Sequence, residues 1–253
     1  MLTILKAYPY LFANLLSFSA LLCAARLLLT PAQWRTMLLS GLANVPAFGL
    51  LIYLEEEYWR PARVGGWILG LEDALCSFVV AAMAWFIVAL FFRDRILFEM
   101  KGTKVFRRYL LVAGLSMAAF LMAFFIGLSG MTALIVACAG VALFLLATQR
   151  PLWPLALLGL FAFPAFWLSL VKVDFWLWPN FVSQWSPQPP WGLRFLGIPL
   201  GEIVWSSVFG AYWPLFTTYI FNGRTRRGSS VPLGFIGDPP SSKRGNLSSD
   251  SSR

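Results

Sequence analysis

The feature that most constrains this chain is the length of its apolar runs. Seven stretches, about residues 8–29, 36–54, 67–92, 109–127, 131–148, 151–171 and 195–221, are predominantly apolar and do not alternate with polar residues. An α-helix rises about 1.5 Å per residue, so some twenty residues cross a hydrocarbon core of roughly 30 Å. Barrel strands would be shorter and would alternate. The runs therefore predict an all-α polytopic membrane protein of about seven transmembrane helices. Composition agrees: 59% of the 253 residues are hydrophobic and 12% are charged, about half the charged share of a soluble domain. The first run follows Lys6 and has no small-residue cleavage site before Arg26. It reads as a retained helix, not a signal peptide.

Lysine and arginine set the orientation. One face of the seven-helix arrangement collects 15 of them: Arg26, Arg35, six in the 93–108 loop, Arg150 and six after residue 221. The opposite face holds 5, namely Lys6, Arg60, Arg63, Lys172 and Arg194. The positive-inside rule then places the N-terminus outside and the C-terminus in the cytoplasm. The same distribution accounts for the net charge of +9 without a contiguous basic face, so membrane lipid, not nucleic acid, is the expected partner. Residues 222–253 are rich in Ser, Pro, Gly and charge and predict a disordered basic cytoplasmic tail. Arg224, Arg226 and Arg227 would lie against anionic headgroups.

Several chemistries are excluded by what the sequence lacks. There is no histidine, which removes the usual general base and the usual transition-metal ligand. Cys23, Cys76 and Cys138 are widely spaced within apolar runs and suggest neither a disulfide framework nor a zinc site. No dinucleotide or P-loop fingerprint occurs, and no Asp-rich motif for a magnesium diphosphate. No cofactor or metal is expected.

Carboxylates inside apolar runs are costly and are read as functional candidates. Two stretches carry them in similar surroundings, WILGLEDALCSFVV at 67–80 and FLGIPLGEIVWSSVF at 195–209. Leu71 aligns with Leu200, Glu72 with Gly201 and Asp73 with Glu202, and Cys76-Ser77 faces Ser206-Ser207 with a one-residue offset. Each stretch follows a loop rich in Trp, Arg and Pro. The pattern predicts two parallel three-helix repeats joined by a linker helix. Residues 1–108 form the first repeat, and 109–221 hold the linker helix and the second.

A proline, one apolar residue and two acids opening a transmembrane helix resembles the lycopene cyclase domain family, membrane carotenoid cyclases of the heterodimeric or fused type. In that family a Pro-x-Glu-Glu motif occurs once in each tandem half. Here the first copy reads Gly70-Leu71-Glu72-Asp73 and lacks the proline; the second reads Pro199-Leu200-Gly201-Glu202 and lacks the first acid. The resemblance implies redox-neutral, acid-initiated ring closure of a linear carotene end group. It also implies a hydrophobic polyene substrate, a bacterial inner membrane location and homo- or hetero-oligomers. Glu72, Asp73 and Glu202 are the implied acid/base groups. A non-catalytic protein on the same scaffold, transporter-like or binding a carotenoid or lipid, is the alternative.

Helical spacing adds a substrate surface. Trp205, Phe209 and Trp213 follow Glu202 on one helix face, where aromatic rings would stabilise a cation. Across from them Cys76, Ser77, Val80 and Ala84 form a small-residue wall. Simpler readings exist for each feature. Glu202 and Asp73 would also suit the positive end of a helix dipole. Trp176, Trp178, Trp185 and Trp191 read as an interfacial aromatic belt, and Glu55-Glu56-Glu57 as a solvated charge run. Trp34, Arg93 and Arg95 read as interface anchors. Asn44 and Pro46 suit either a polar pocket or a kink.

Overall fold

The computed structural model describes residues 7–55, 57–92, 96–98, 102–186 and 191–225. Lys6, Glu56, Arg93, Arg95 and the tail with Arg226 and Arg227 lie outside the described residues. Seven long helices account for most of the described chain: α1 Pro9–Leu28, α2 Pro31–Asn44, α3 Leu71–Phe91, α4 Gly102–Phe125, α5 Gly130–Thr148, α6 Trp153–Leu177 and α7 Leu200–Ile220. Six segments are long and apolar enough to cross a membrane: Pro9–Leu28, Pro31–Glu55, Leu71–Phe91, Gly102–Phe125, Gly130–Thr148 and Arg150–Leu177. This is an integral membrane protein of the all-α class. α7 is as long as α3, but Glu202, its Ser and Thr pairs, Tyr, Trp and Pro214 dilute its hydropathy.

Helix boundaries follow from caps. Thr30 and Gln33 form a reciprocal capping box, so α2 starts at Pro31, ahead of the expected residue 36. Pro46 has no N–H to give, and beyond Asn44 the chain tightens into a 3-10 segment, Val45–Leu51, before a last α-turn at Ile52–Glu55. Of the two readings of Asn44, the structure fits the kink: its Nδ2 donates to the Ser77 carbonyl (2.9 Å) from the turn where the helix changes pitch, and the cavities it borders are mostly apolar. Residues 195–199, expected at the start of the last span, form a hairpin with Arg194 instead, with Arg194 opposite Pro199 and Phe195 opposite Ile198. Its two-residue turn needs left-handed backbone at Leu196 (φ 52°) and Gly197 (φ 79°). α6 runs to Leu177, past the expected residue 171. That extension brings Asp174 into a helix.

α3 and α7 are the central pair. Every residue of α3 from Ser77 to Ala89 is buried, the signature of a helix enclosed on all sides. α7 packs most closely on α6, where Gly159 and Gly210 face each other so tightly that a Cβ on either would run into the other's carbonyl. Small residues allow such backbone approach between membrane helices. Gly210→Ala should therefore destabilise the protein by about 1–3 kcal/mol through overpacking. Thermal unfolding in detergent reads this; an unchanged midpoint would contradict the contact. Trp213 Nε1 donates to Ser40 Oγ (2.8 Å), and Ser40 shares a proton with Thr217 Oγ1 (3.0 Å). These bonds tie α2 to α7.

Candidate active site

The N-termini of α3 and α7 lie at the same end of the bundle. The segment after α2 touches both, because Arg63 reaches Asp73 and Tyr58 reaches Glu202. Backbone bonds join it to the chain before α7: Arg60 N–H donates to Gln184 (2.7 Å) and Ser186 N–H to Tyr58 (2.8 Å). Trp59 and Trp185 pair as an isolated bridge between them. The two Trp- and Arg-rich loops thus form one cap over both acids.

Asp73 and Glu202 occupy equivalent places, each the third residue of a helix that begins with leucine. Their surroundings differ because the residue before each helix differs. Gly70 has a backbone N–H, and Asp73 Oδ2 accepts it (2.7 Å), as the acid of a capping box does. Pro199 has no N–H, so Glu202 has nothing to cap and turns inward.

Asp73 is fully buried and lies in an ion pair with Arg63 (2.6 Å), and Tyr10 O–H donates to its other oxygen (3.1 Å). Arg63 also forks onto both oxygens of Glu55 (2.8 and 2.9 Å). Burial works against the Arg63 charge, but the bonds and charges of Asp73 and then Glu55 outweigh it and raise its pKa. Glu55 is therefore not part of a solvated run, and Glu57 accepts the Gly130 N–H (3.2 Å).

Glu202 is buried and accepts three hydrogen bonds from neutral donors. Tyr58 O–H and Trp185 Nε1 donate to Oε1 (both 3.0 Å), and Trp167 Nε1 donates to Oε2 (3.1 Å). Among the described residues no cation contacts it. Burial, followed by the charge and hydrogen bond of Glu202, raises the Tyr58 pKa well above the usual phenol range, so Tyr58 remains a donor. Trp185 leaves the expected aromatic belt: it is 5% exposed, against 80% for Trp176.

Glu202 lines a cavity of about 1130 Å³, open mouth included, bounded by α1, α2, α3, α5, α6 and α7. Its lining is largely apolar and aromatic, with Tyr10, Trp59, Trp167, Phe181 and Trp205 among the walls and no Lys or Arg among the described residues. Cys76, Ser77 and Val80 line it as expected; Ala84 is buried in the core instead. Trp205, Phe209 and Trp213 stack in series at 5.4 and 5.5 Å between ring centroids. Only the first two reach this cavity, and Trp213 belongs to a second one.

The three expected acids are not brought together around one space. Glu72 takes the Val64 N–H (2.7 Å) and faces a side groove with Trp67 and Leu71. Asp73 sits behind Tyr10 and does not line the cavity. The second carboxyl group of the cavity is Asp174, half-buried on the unexpected last turns of α6. Sequence reasoning also passed over Tyr10, Tyr58, Trp167 and Arg63 as contacts of the acids. Nothing in the local pattern marks them, since each meets its acid across a separate element.

Gly201, the position where the resemblance expects an acid, faces Tyr58. A Cβ there would meet the Tyr58 ring at 3.1 Å and its hydroxyl at 3.3 Å. Tyr58 thus fills the space of the missing carboxylate. Gly201→Glu should displace the phenol, break the Tyr58–Glu202 bond and cost about 1–3 kcal/mol. Unfolding of the variant, with tyrosine absorbance to follow the phenol, checks this; unchanged stability with an unperturbed Tyr58 would contradict it. No family model, curated protein or solved structure matches the chain.

Proposed function

We propose that the protein is a membrane carotenoid cyclase of the lycopene cyclase type, with Glu202 as the acid. The observation that carries this reading is a buried carboxyl group held by three neutral donors in an aromatic cavity that, among the described residues, has no cation in its lining. An acid that must give up and regain a proton is poorly served by a fixed ion pair like that of Asp73 with Arg63. Two indoles and a phenol steady the carboxylate after proton transfer without neutralising it.

The steps balance without a redox partner. The Glu202 proton adds to the terminal double bond of the linear end group, forming a C–H bond and a tertiary cation. The next double bond attacks that cation, closing the ring with a new C–C bond. A neighbouring ring proton then leaves to the Asp174 carboxylate, and the electrons of that C–H bond become the ring double bond. Proton exchange with water at the cavity mouth restores both acids. Trp205 and Phe209 face the developing charge, each contributing about 0.5–2 kcal/mol. Asp73 is a positioning residue that holds Tyr10 and Arg63.

On this reading all seven helices cross the bacterial inner membrane as two parallel three-helix repeats, α1–α3 and α5–α7, joined by α4. The common placement of Asp73 and Glu202 supports the repeat. A second reading, a protein that binds a carotenoid or lipid without converting it, is favoured by Tyr58 standing in the place of the fourth acid. Expression in a lycopene-accumulating bacterium separates the two. Cyclised pigment supports the enzyme; unchanged lycopene, with the protein present in the membrane, supports the binder.

A further inference from the structure

A second apolar cavity, of about 690 Å³, lies between α2, α4, α5 and α7. It shares Asn44, Ala47, Leu50, Leu134 and Phe209 with the cavity of Glu202. The two spaces therefore adjoin across the 3-10 stretch after α2, Leu134 on α5 and Phe209 in the middle of the aromatic stack. Their chemistry differs. Among the described residues, the Glu202 chamber is lined by two carboxyl groups, whereas the far chamber has no charged residue in its lining. Of its polar groups, Ser116 pairs with Tyr212 (2.9 Å) and Asn44 donates to the Ser77 carbonyl. Among larger side chains, its α4 and α5 walls hold small residues at Ala113, Ala137 and Cys138.

We infer that the two chambers form one end-on slot for a long linear isoprenoid, with one end group at Glu202 and the rest of the chain threaded past Phe209 into the charge-free chamber. The far chamber then selects for length, and Ala113, Ala137 and Phe209 are specificity-determining residues. Only one end of the molecule meets an acid at a time, so each binding event modifies one end and a second modification requires release and re-entry. The inference rests on the cyclase reading for the identity of the ligand, but its test reads binding.

The experiment uses the purified protein in detergent and follows lycopene by quenching of tryptophan fluorescence, and tritiated geranylgeraniol, an acyclic isoprenoid half as long without a conjugated chromophore, by its retention on the immobilised protein. Filling the far chamber with Ala137→Trp should weaken lycopene binding by about tenfold or more, as small volume changes in an apolar pocket do, and leave geranylgeraniol within about twofold. Ala113→Phe, on a half-buried position of α4, repeats the test with less risk to folding. Unfolding midpoints show that each variant is intact. Equal effects on both ligands, no effect on either, or no lycopene binding by the unaltered protein would overturn the inference. Length-dependent binding without any cyclised product would sustain the slot while removing the cyclase reading.

Discussion

Under the proposed cyclase function, Glu202→Gln should abolish cyclisation while leaving the protein folded and in the membrane. The substitution keeps the shape of the side chain but removes the transferable proton, and loss of a positioned general acid costs about a hundredfold to ten-thousandfold in rate. The glutamine oxygen can still accept from Tyr58 and Trp185. Its amide nitrogen would then face Trp167 Nε1, so two donors meet where a donor and an acceptor met before. That mismatch should lower stability by about 1–3 kcal/mol. Trp167→Phe removes the mismatch from the other side, and it should slow the reaction far less than Glu202→Gln. Pigment analysis and unfolding of the same preparations give both quantities. A Glu202→Gln protein with full activity would assign the proton to another group.

The largest loss of stability is expected at Arg63. Its side chain is 2% exposed, and it bridges Asp73, fully buried, and Glu55, 22% exposed. Arg63→Met leaves two carboxylates without their shared cation, and breaking a buried pair from one side costs about 3–5 kcal/mol. Arg63→Lys should recover little, because Nε serves Asp73 while Nη1 serves Glu55, a fork that a single ammonium does not reproduce. Arg63→Met combined with Asp73→Leu should be more stable than Arg63→Met alone, since the stranded charge at the helix start is gone. Unfolding midpoints of the three variants decide this. Additive losses in the double variant would show that Arg63 and Asp73 are not energetically coupled.

Much of the fold was legible because the bilayer imposes long apolar helices, and run length reads directly from sequence. Boundaries were less legible. The Thr30–Gln33 cap starts α2 at Pro31, ahead of the expected residue 36, and the last turns of α6, with Lys172 and Asp174, look like a loop because two charges interrupt the apolar run. Asp174 was overlooked for that reason. At the site, the aromatic face of α7 followed from helical spacing alone, and Trp205 and Phe209 do stand in the cavity with Glu202. The functions of the acids did not follow from spacing. Whether a first-turn carboxylate caps its helix or turns inward depended on one backbone N–H, present at Gly70 and absent at Pro199. The partners come from other elements, Tyr10 from α1 and Tyr58, Arg63 and Trp185 from the two loops, so only the three-dimensional packing reveals them.

Acid-initiated ring closure has a direct signature. The purified protein is supplied with lycopene in deuterium oxide, and the pigment is examined by mass spectrometry. If the exchanged Glu202 carboxyl group starts the reaction, each newly closed ring carries one deuterium, fixed at the carbon that accepted the proton. Cyclised product without deuterium, or no cyclised product from a folded protein that binds lycopene, would contradict the account.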